Sequence, residues 1–143
     1  EIYTLSLHDA LPILAYPKAI GEAFQIMSDE QLTWDQIYEC VGQALNVTPK
    51  LYHVASDFLA AVCPADYDLE GNLIGDKAAT VIFDCTKLKR AVPGFQATTR
   101  FEMGVRRCVD YILAHPELQV DDPEFDQWCD KVIEAQEQAK KMI

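Results

Sequence analysis

Residues 21–45, GEAFQIMSDEQLTWDQIYECVGQAL, change periodicity halfway along. After Gly21, the run Ala23–Met27 (AFQIM) is short, apolar and partly β-branched, which predicts a strand. Thr33 with Gln36 three residues later has the spacing of a capping box, and Trp34, Ile37, Tyr38, Val41 and Leu45 then recur at helical intervals until Asn46 offers a stop. Strand followed by helix is therefore the unit to look for on either side. Leu51–Ala55 (LYHVA) alternates like a second strand after Pro49, and Ser56 can cap a short helix through about Val62, closed by Pro64. Residues 64–79 are a polar loop, Thr80–Phe83 (TVIF) a third strand, and Asp84 a cap for a helix holding Lys87, Leu88 and Ala91 before Pro93. Thr99 and Glu102 form a second capping-box pattern ahead of Phe101, Val105, Cys108, Val109 and Ile112, with an end near His115 and Pro116. Asp122 and Pro123 open the last helix, whose apolar stripe is Phe125, Trp128, Cys129, Val132 and Ile133. The order predicts an α/β class, or an α+β-like fragment, with about three short strands and four to five helices.

Composition narrows the field of functions. With 143 residues, 50% hydrophobic, 24% charged, 6 Gly and 7 Pro, the chain fits one globular domain rather than a fibrous or low-complexity segment. No run of 18 apolar residues occurs, so no membrane-spanning helix is expected. Twelve basic against 23 acidic residues give a net charge of -11, which argues against a nucleic-acid partner, because phosphate backbones are held by clustered cations. The five cysteines, Cys40, Cys63, Cys85, Cys108 and Cys129, are odd in number and contain no Cys-x-x-Cys pair. Reduced thiols in a cytoplasmic protein are the expectation, with no metal site, since zinc needs about four converging soft ligands.

Residues 1–13, EIYTLSLHDALPI, have neither a cationic start nor a small-residue cleavage site. They are similar, codon by codon, to a translated sequencing-library adapter. On that reading residues 1–13 are an artefact, the gene enters at about Leu14, and residues 14–143 are the C-terminal portion of a longer protein. Setting Glu1 and Asp9 aside leaves 21 acidic residues against 12 basic, so the acidity stands.

Local motifs for chemistry are few. The stretch Asp66–Asn72 (DYDLEGN) mimics the first half of a calcium loop, but Lys77 stands where its bidentate Glu belongs. His53 has no carboxylate or nucleophile at a recognisable offset, and Trp34 and Trp128 lie on apolar helix faces, where packing is the expected role. Lys87, Lys89 and Arg90 form the one basic cluster and suit a helix C-terminus. No Gly-rich phosphate loop, Ser-His-Asp order or pair of catalytic carboxylates is present.

Four segments together nevertheless resemble the C-terminal part of the extended short-chain dehydrogenase/reductases, the NAD-dependent epimerase/dehydratase family: GEAFQIMSDEQLTWDQI, LYHVASDFLAA, VIFDCTKLKRAVPGF and FEMGVRRCVDYILAHPE. They occur in the family's order over Ala19 to about Ile133, with Asp84, Lys87, Pro93 and Gly104 at its patterned positions. The resemblance implies a substrate-binding lobe, inactive alone, of an enzyme acting with NAD or NADP on a sugar, nucleotide sugar or small carbonyl or hydroxyl compound. The fragment itself then binds no cofactor. Its partners would be that small-molecule substrate and the missing Rossmann half of the same chain, with a homo-oligomer as a further expectation. The family's Tyr-x-x-x-Lys pair is missing, because Gly42 and His115 stand four residues after Tyr38 and Tyr111. An Arg that many sugar-nucleotide members carry after the second strand is also missing, since that stretch reads VASDF. The substrate cleft of such two-lobed enzymes lies beyond the strand ends, which makes Ser28, Asp29, Ser56 and Asp57 the candidate substrate-binding residues. The competing expectation is a small stand-alone α/β binding or interaction module without catalysis.

Overall fold

Thr33 turns the chain into the first α-helix of the described residues, α1 (Trp34–Ala44), through the capping box that its spacing predicts. Gln36 N–H donates to Thr33 Oγ1 at 3.3 Å, and Thr33 N–H donates to Gln36 Oε1 at 2.8 Å, so two otherwise unpaired helix-end donors are satisfied together. At the other end Asn46 takes φ 57, the left-handed conformation that suits a helix stop. Val47 N–H then reaches Gly42 O at 2.9 Å and Asn46 N–H reaches Gln43 O at 3.2 Å, the paired bonds of a Schellman turn.

In the computed structural model, residues 16–143 are described. They divide into two units, one holding the described residues up to Pro49 together with Val81–Pro116, the other Lys50–Thr80 with Glu117–Ile143. The stretch 1–13, read above as adapter, lies outside the described residues. The first unit contains α1, α3 (Thr86–Ala91) and α4 (Phe101–Ala114), after a 3-10 turn at Pro17–Ala19. The second contains α2 (Ser56–Val62), a π-helical segment (Glu70–Asp76), a 3-10 turn (Pro116–Leu118, whose first residue closes the first unit) and the 20-residue α5 (Pro123–Met142).

The α/β expectation, with its three strands, is overturned. Among the described residues 56% are helical and none is in a strand. Ala23–Met27, Leu51–Ala55 and Thr80–Phe83 carry neither helix nor ladder. The cause is visible in where their carbonyls go. Ala23 O accepts from Lys87 Nζ at 3.0 Å, Met27 O from Cys85 Sγ at 3.6 Å, and His53 O from Gln136 Nε2 at 2.8 Å. Side chains borne on or beside helices take the places that strand N–H groups would occupy in a sheet. The Thr80–Phe83 run is instead left open, with Val81 and Ile82 each 62% exposed.

In the first unit α1 lies against α4, and Leu88, fully buried on α3, forms a small core with Val92, packed by Ala19, Phe24, Ala91 and Phe95. Asp84 is not the cap of α3, since Cys85 occupies the cap position without a side-chain cap, but Asp84 Oδ1 accepts Thr86 N–H at 2.8 Å from one residue further out. The helix ends in the sequence Val92-Pro93-Gly94-Phe95, where Phe95 N–H closes on Val92 O at 3.1 Å and Gly94 takes φ +88. Proline then a positive-φ glycine at the centre of the turn is the type II arrangement, which only glycine adopts without strain. In the second unit α2 packs against the π-helical segment, and α5 buries Val132. Asp122 caps α5 as the sequence predicts, accepting from Phe125 N–H at 3.1 Å with Pro123 just inside the helix. No helix among the described residues is long and apolar enough to cross a membrane.

Two further local expectations need correction. Ser56 does not cap α2, because Ala55 occupies the cap position and Ser56 is already the first helical residue. The Thr99 and Glu102 capping box does not form either; Arg100 is the cap residue of α4, without a side-chain cap of its own.

Candidate functional site

The start of α4 is held from a distance. Glu30 Oε2 accepts Phe101 N–H at 2.8 Å, and Glu30 Oε1 accepts Arg100 Nε–H at 3.1 Å. A carboxylate placed against the open N–H groups of a helix start satisfies them and complements the helix dipole. The Arg100 guanidinium is in turn held more firmly protonated, first by its bond to Glu30 and then by Glu102 nearby. This contact spans 71 residues, which is why the local Thr99 and Glu102 pattern misled.

Beside this anchor is a depression of about 260 Å³ lined by Ile26, Met27, Ser28, Glu30, Ala97, Thr99 and Phe101. Ser28 therefore lines a concavity, with the hydroxyl-bearing Thr99 and the carboxylate of Glu30 on the same wall. Ser28 Oγ accepts Glu30 N–H at 3.3 Å, a local bond that shapes the turn. Asp29 is occupied differently, since Lys89 Nζ lies 2.7 Å from each of its carboxylate oxygens. That contact raises the affinity of Lys89 for its proton.

Ser56 and Asp57 belong to the second unit, whereas Ser28 and Asp29 belong to the first. Asp57 Oδ1 accepts the N–H of the next residue, Phe58, at 2.8 Å, a role in starting α2. Of the four candidates, Ser28 lines this 260 Å³ depression.

Sequence reasoning missed Glu30, the Asp29–Lys89 pair and the Lys87–Glu22 pair, all made by residues 60 or more positions apart. The basic cluster does sit on α3, with Lys89 and Arg90 in its last turn, but Lys87 and Lys89 reach out to carboxylates of the 22–29 segment.

The calcium-like stretch is satisfied by its own atoms. Asp68 Oδ1 accepts Gly71 N–H at 2.8 Å, Asn72 Nδ2 donates to Asp68 O at 2.6 Å, and a Cβ at Gly71 would run into the Asp68 carboxylate. No group of three or more His, Cys, Asp or Glu residues arranged for a metal occurs among the described residues. Tyr111 stacks on His115 at 4.0 Å, and His115 Nδ1 lies 2.7 Å from Tyr111 O, so this ring is engaged with its own helix. No family model, no curated protein and no solved structure matches this chain.

Proposed function

We propose that residues 14–143 are the substrate-binding portion of an NAD(P)-dependent epimerase, dehydratase or reductase, inactive without a dinucleotide-binding half. The observation that carries the reading is the meeting, within one unit, of three segments that bear the family resemblance. Lys87 and Lys89 of the VIFDCTKLKRAVPGF segment bond Glu22 and Asp29 of GEAFQIMSDE, and Glu30 of the latter holds the start of FEMGVRRCVDYILAHPE. Ser28, on the wall of the neighbouring depression, is the residue assigned to substrate, as a hydrogen-bonding group for a hydroxyl or carbonyl oxygen. Chemistry at a carbon bearing oxygen would be supplied by the cofactor and the acid/base tyrosine of the other half, and this portion would orient the substrate.

A small interaction module without catalysis is favoured by one observation, the lack of any sheet among the described residues. The reading frame upstream of Leu14 separates the two. A glycine-rich turn after a first strand and a Tyr-x-x-x-Lys pair are expected there, and the longer protein should oxidise or reduce NAD(P) with substrate. Ser28→Ala in that protein should raise KM about tenfold while leaving the melting temperature unchanged, as expected for loss of one hydrogen bond to substrate. An upstream frame lacking both motifs would remove the proposal. Residues 14–143 alone should bind neither NAD nor NADP in a calorimetric titration.

A further inference from the structure

A second concavity of the first unit is larger, about 530 Å³, and is lined by Lys18, Glu22, Phe24, Asp84, Thr86, Lys87, Arg90 and Ala91. Three cations and two carboxylates face it, in a chain whose net charge is -11. Both carboxylates have donors of their own. Glu22 Oε2 accepts from Lys87 Nζ at 2.6 Å, and Asp84 Oδ1 accepts from Thr86 N–H at 2.8 Å and Thr86 Oγ1–H at 2.5 Å. These bonds hold both acids in their charged forms, below their ordinary carboxyl range. Lys87 is fixed further by Ala23 O at 3.0 Å and by the face of Phe24, 5.1 Å from its ammonium. Lys18 and Arg90 make no direct ion pair or hydrogen bond among the described residues, although the charge of Arg90 helps keep Asp84 ionised.

We infer that this groove binds a small oxyanion, a phosphate group above all, between Lys18 and Arg90. The guanidinium fork of Arg90 matches two phosphate oxygens at once, and the ammonium of Lys18 supplies a second, mobile positive charge. Lys87, tied to Glu22 and the backbone, contributes field rather than a free donor. Phe24 and Ala91 provide an apolar wall beside the cations, which suits a phosphate monoester with a compact body, and the volume lies in the range of small-ligand sites. Asp84 sets the limit on affinity, because its charge faces the same space and repels a bound anion. All of these residues belong to the first unit, so the groove does not depend on the activity of any longer protein.

Titration of the full 143-residue chain with inorganic phosphate at constant ionic strength, followed by the backbone amide resonances of residues 84–91, tests the site. Saturable shifts are expected with phosphate and not with chloride. Arg90→Ala combined with Lys18→Ala should weaken binding at least tenfold, and Arg90→Lys, which keeps the charge and loses the fork, should fall between. Lys50→Ala, in the other unit, should leave the titration unchanged. The amide spectrum of each variant without phosphate reports whether the fold is kept. Linear shifts that never saturate, an equal response to chloride, or a double variant that binds as the parent does would each overturn the inference.

Discussion

At the scale of single residues, Gly42 leaves no room for a side chain. A Cβ there would lie 2.6 Å from Pro49 Cδ and 2.9 Å from Val47 O, and the latter is backbone locked by the helix-ending turn. Alanine gains about 1 kcal/mol of helix propensity over glycine, but overpacking against fixed atoms costs roughly 1–3 kcal/mol. Gly42→Ala should therefore lower stability, visible as a reduced urea midpoint, and a raised midpoint would contradict the close approach. Thr33, Asn46 and Asp122 were legible in the sequence because a cap acts over three or four residues and leaves its signature in the chain. Glu30 was not legible, since nothing near it in sequence marks the helix start that it serves. Glu30→Ala should cost about 1 kcal/mol, the usual effect of losing a cap, and should speed amide exchange at Phe101. Glu102→Ala, at the position of the unformed capping box, should do much less; equal effects from the two variants would refute the long-range cap.

At the scale of elements, α5 is held to the rest of its unit by polar contacts along its length. Tyr67 Oη–H donates to Asp122 Oδ2 at 2.5 Å, its ring lies 4.9 Å from Phe125, and Trp128 Nε1–H donates to Val62 O at 2.8 Å. The bond to Asp122 pushes the Tyr67 hydroxyl up to about 12 from its ordinary 10.0. The same bond, helped by Phe125 N–H, keeps Asp122 below its usual carboxyl value of 3.8. Because the neutral phenol is the donor, its contribution is whole below pH 10 and is lost as pH rises towards about 12. The carboxylate contribution is whole above pH 3.8 and is lost as pH falls further. Melting temperature against pH should thus fall at both extremes. Tyr67→Phe should lower the plateau and remove the 10-to-12 part of the alkaline fall, and an unchanged alkaline limb would mean that the bond does not govern it. The apolar runs 23–27, 51–55 and 80–83 were misread at this same scale. Alternation and β-branching report a preference for extended backbone, whereas a strand is a relation between two segments, and the partner is not written in either one.

At the scale of the whole molecule, buried apolar residues are few among the described residues: Ala44, Cys85, Leu88 and Val92 in the first unit and Val132 in the second. Large apolar side chains stay open to water, Val81, Ile82 and Phe83 consecutively among them. A contiguous apolar patch of a few hundred Å² marks an interaction or aggregation surface, and repulsion between acidic surfaces is screened beyond about 10 Å at moderate salt. Light scattering at physiological salt should report dimers or larger species together with binding of an apolar dye, and Ile82→Asp should reduce both. A dye-silent monomer would show that the run is covered in solution. The two tryptophans fall one to each unit, Trp34 on α1 at 60% exposure and Trp128 on α5, half-buried beside Phe125 with its indole N–H bonded. Each unit therefore carries its own intrinsic fluorophore, one emitting as an indole in water and quenched readily by iodide, the other bluer and shielded, so that the optical signature of either half is separable without a label.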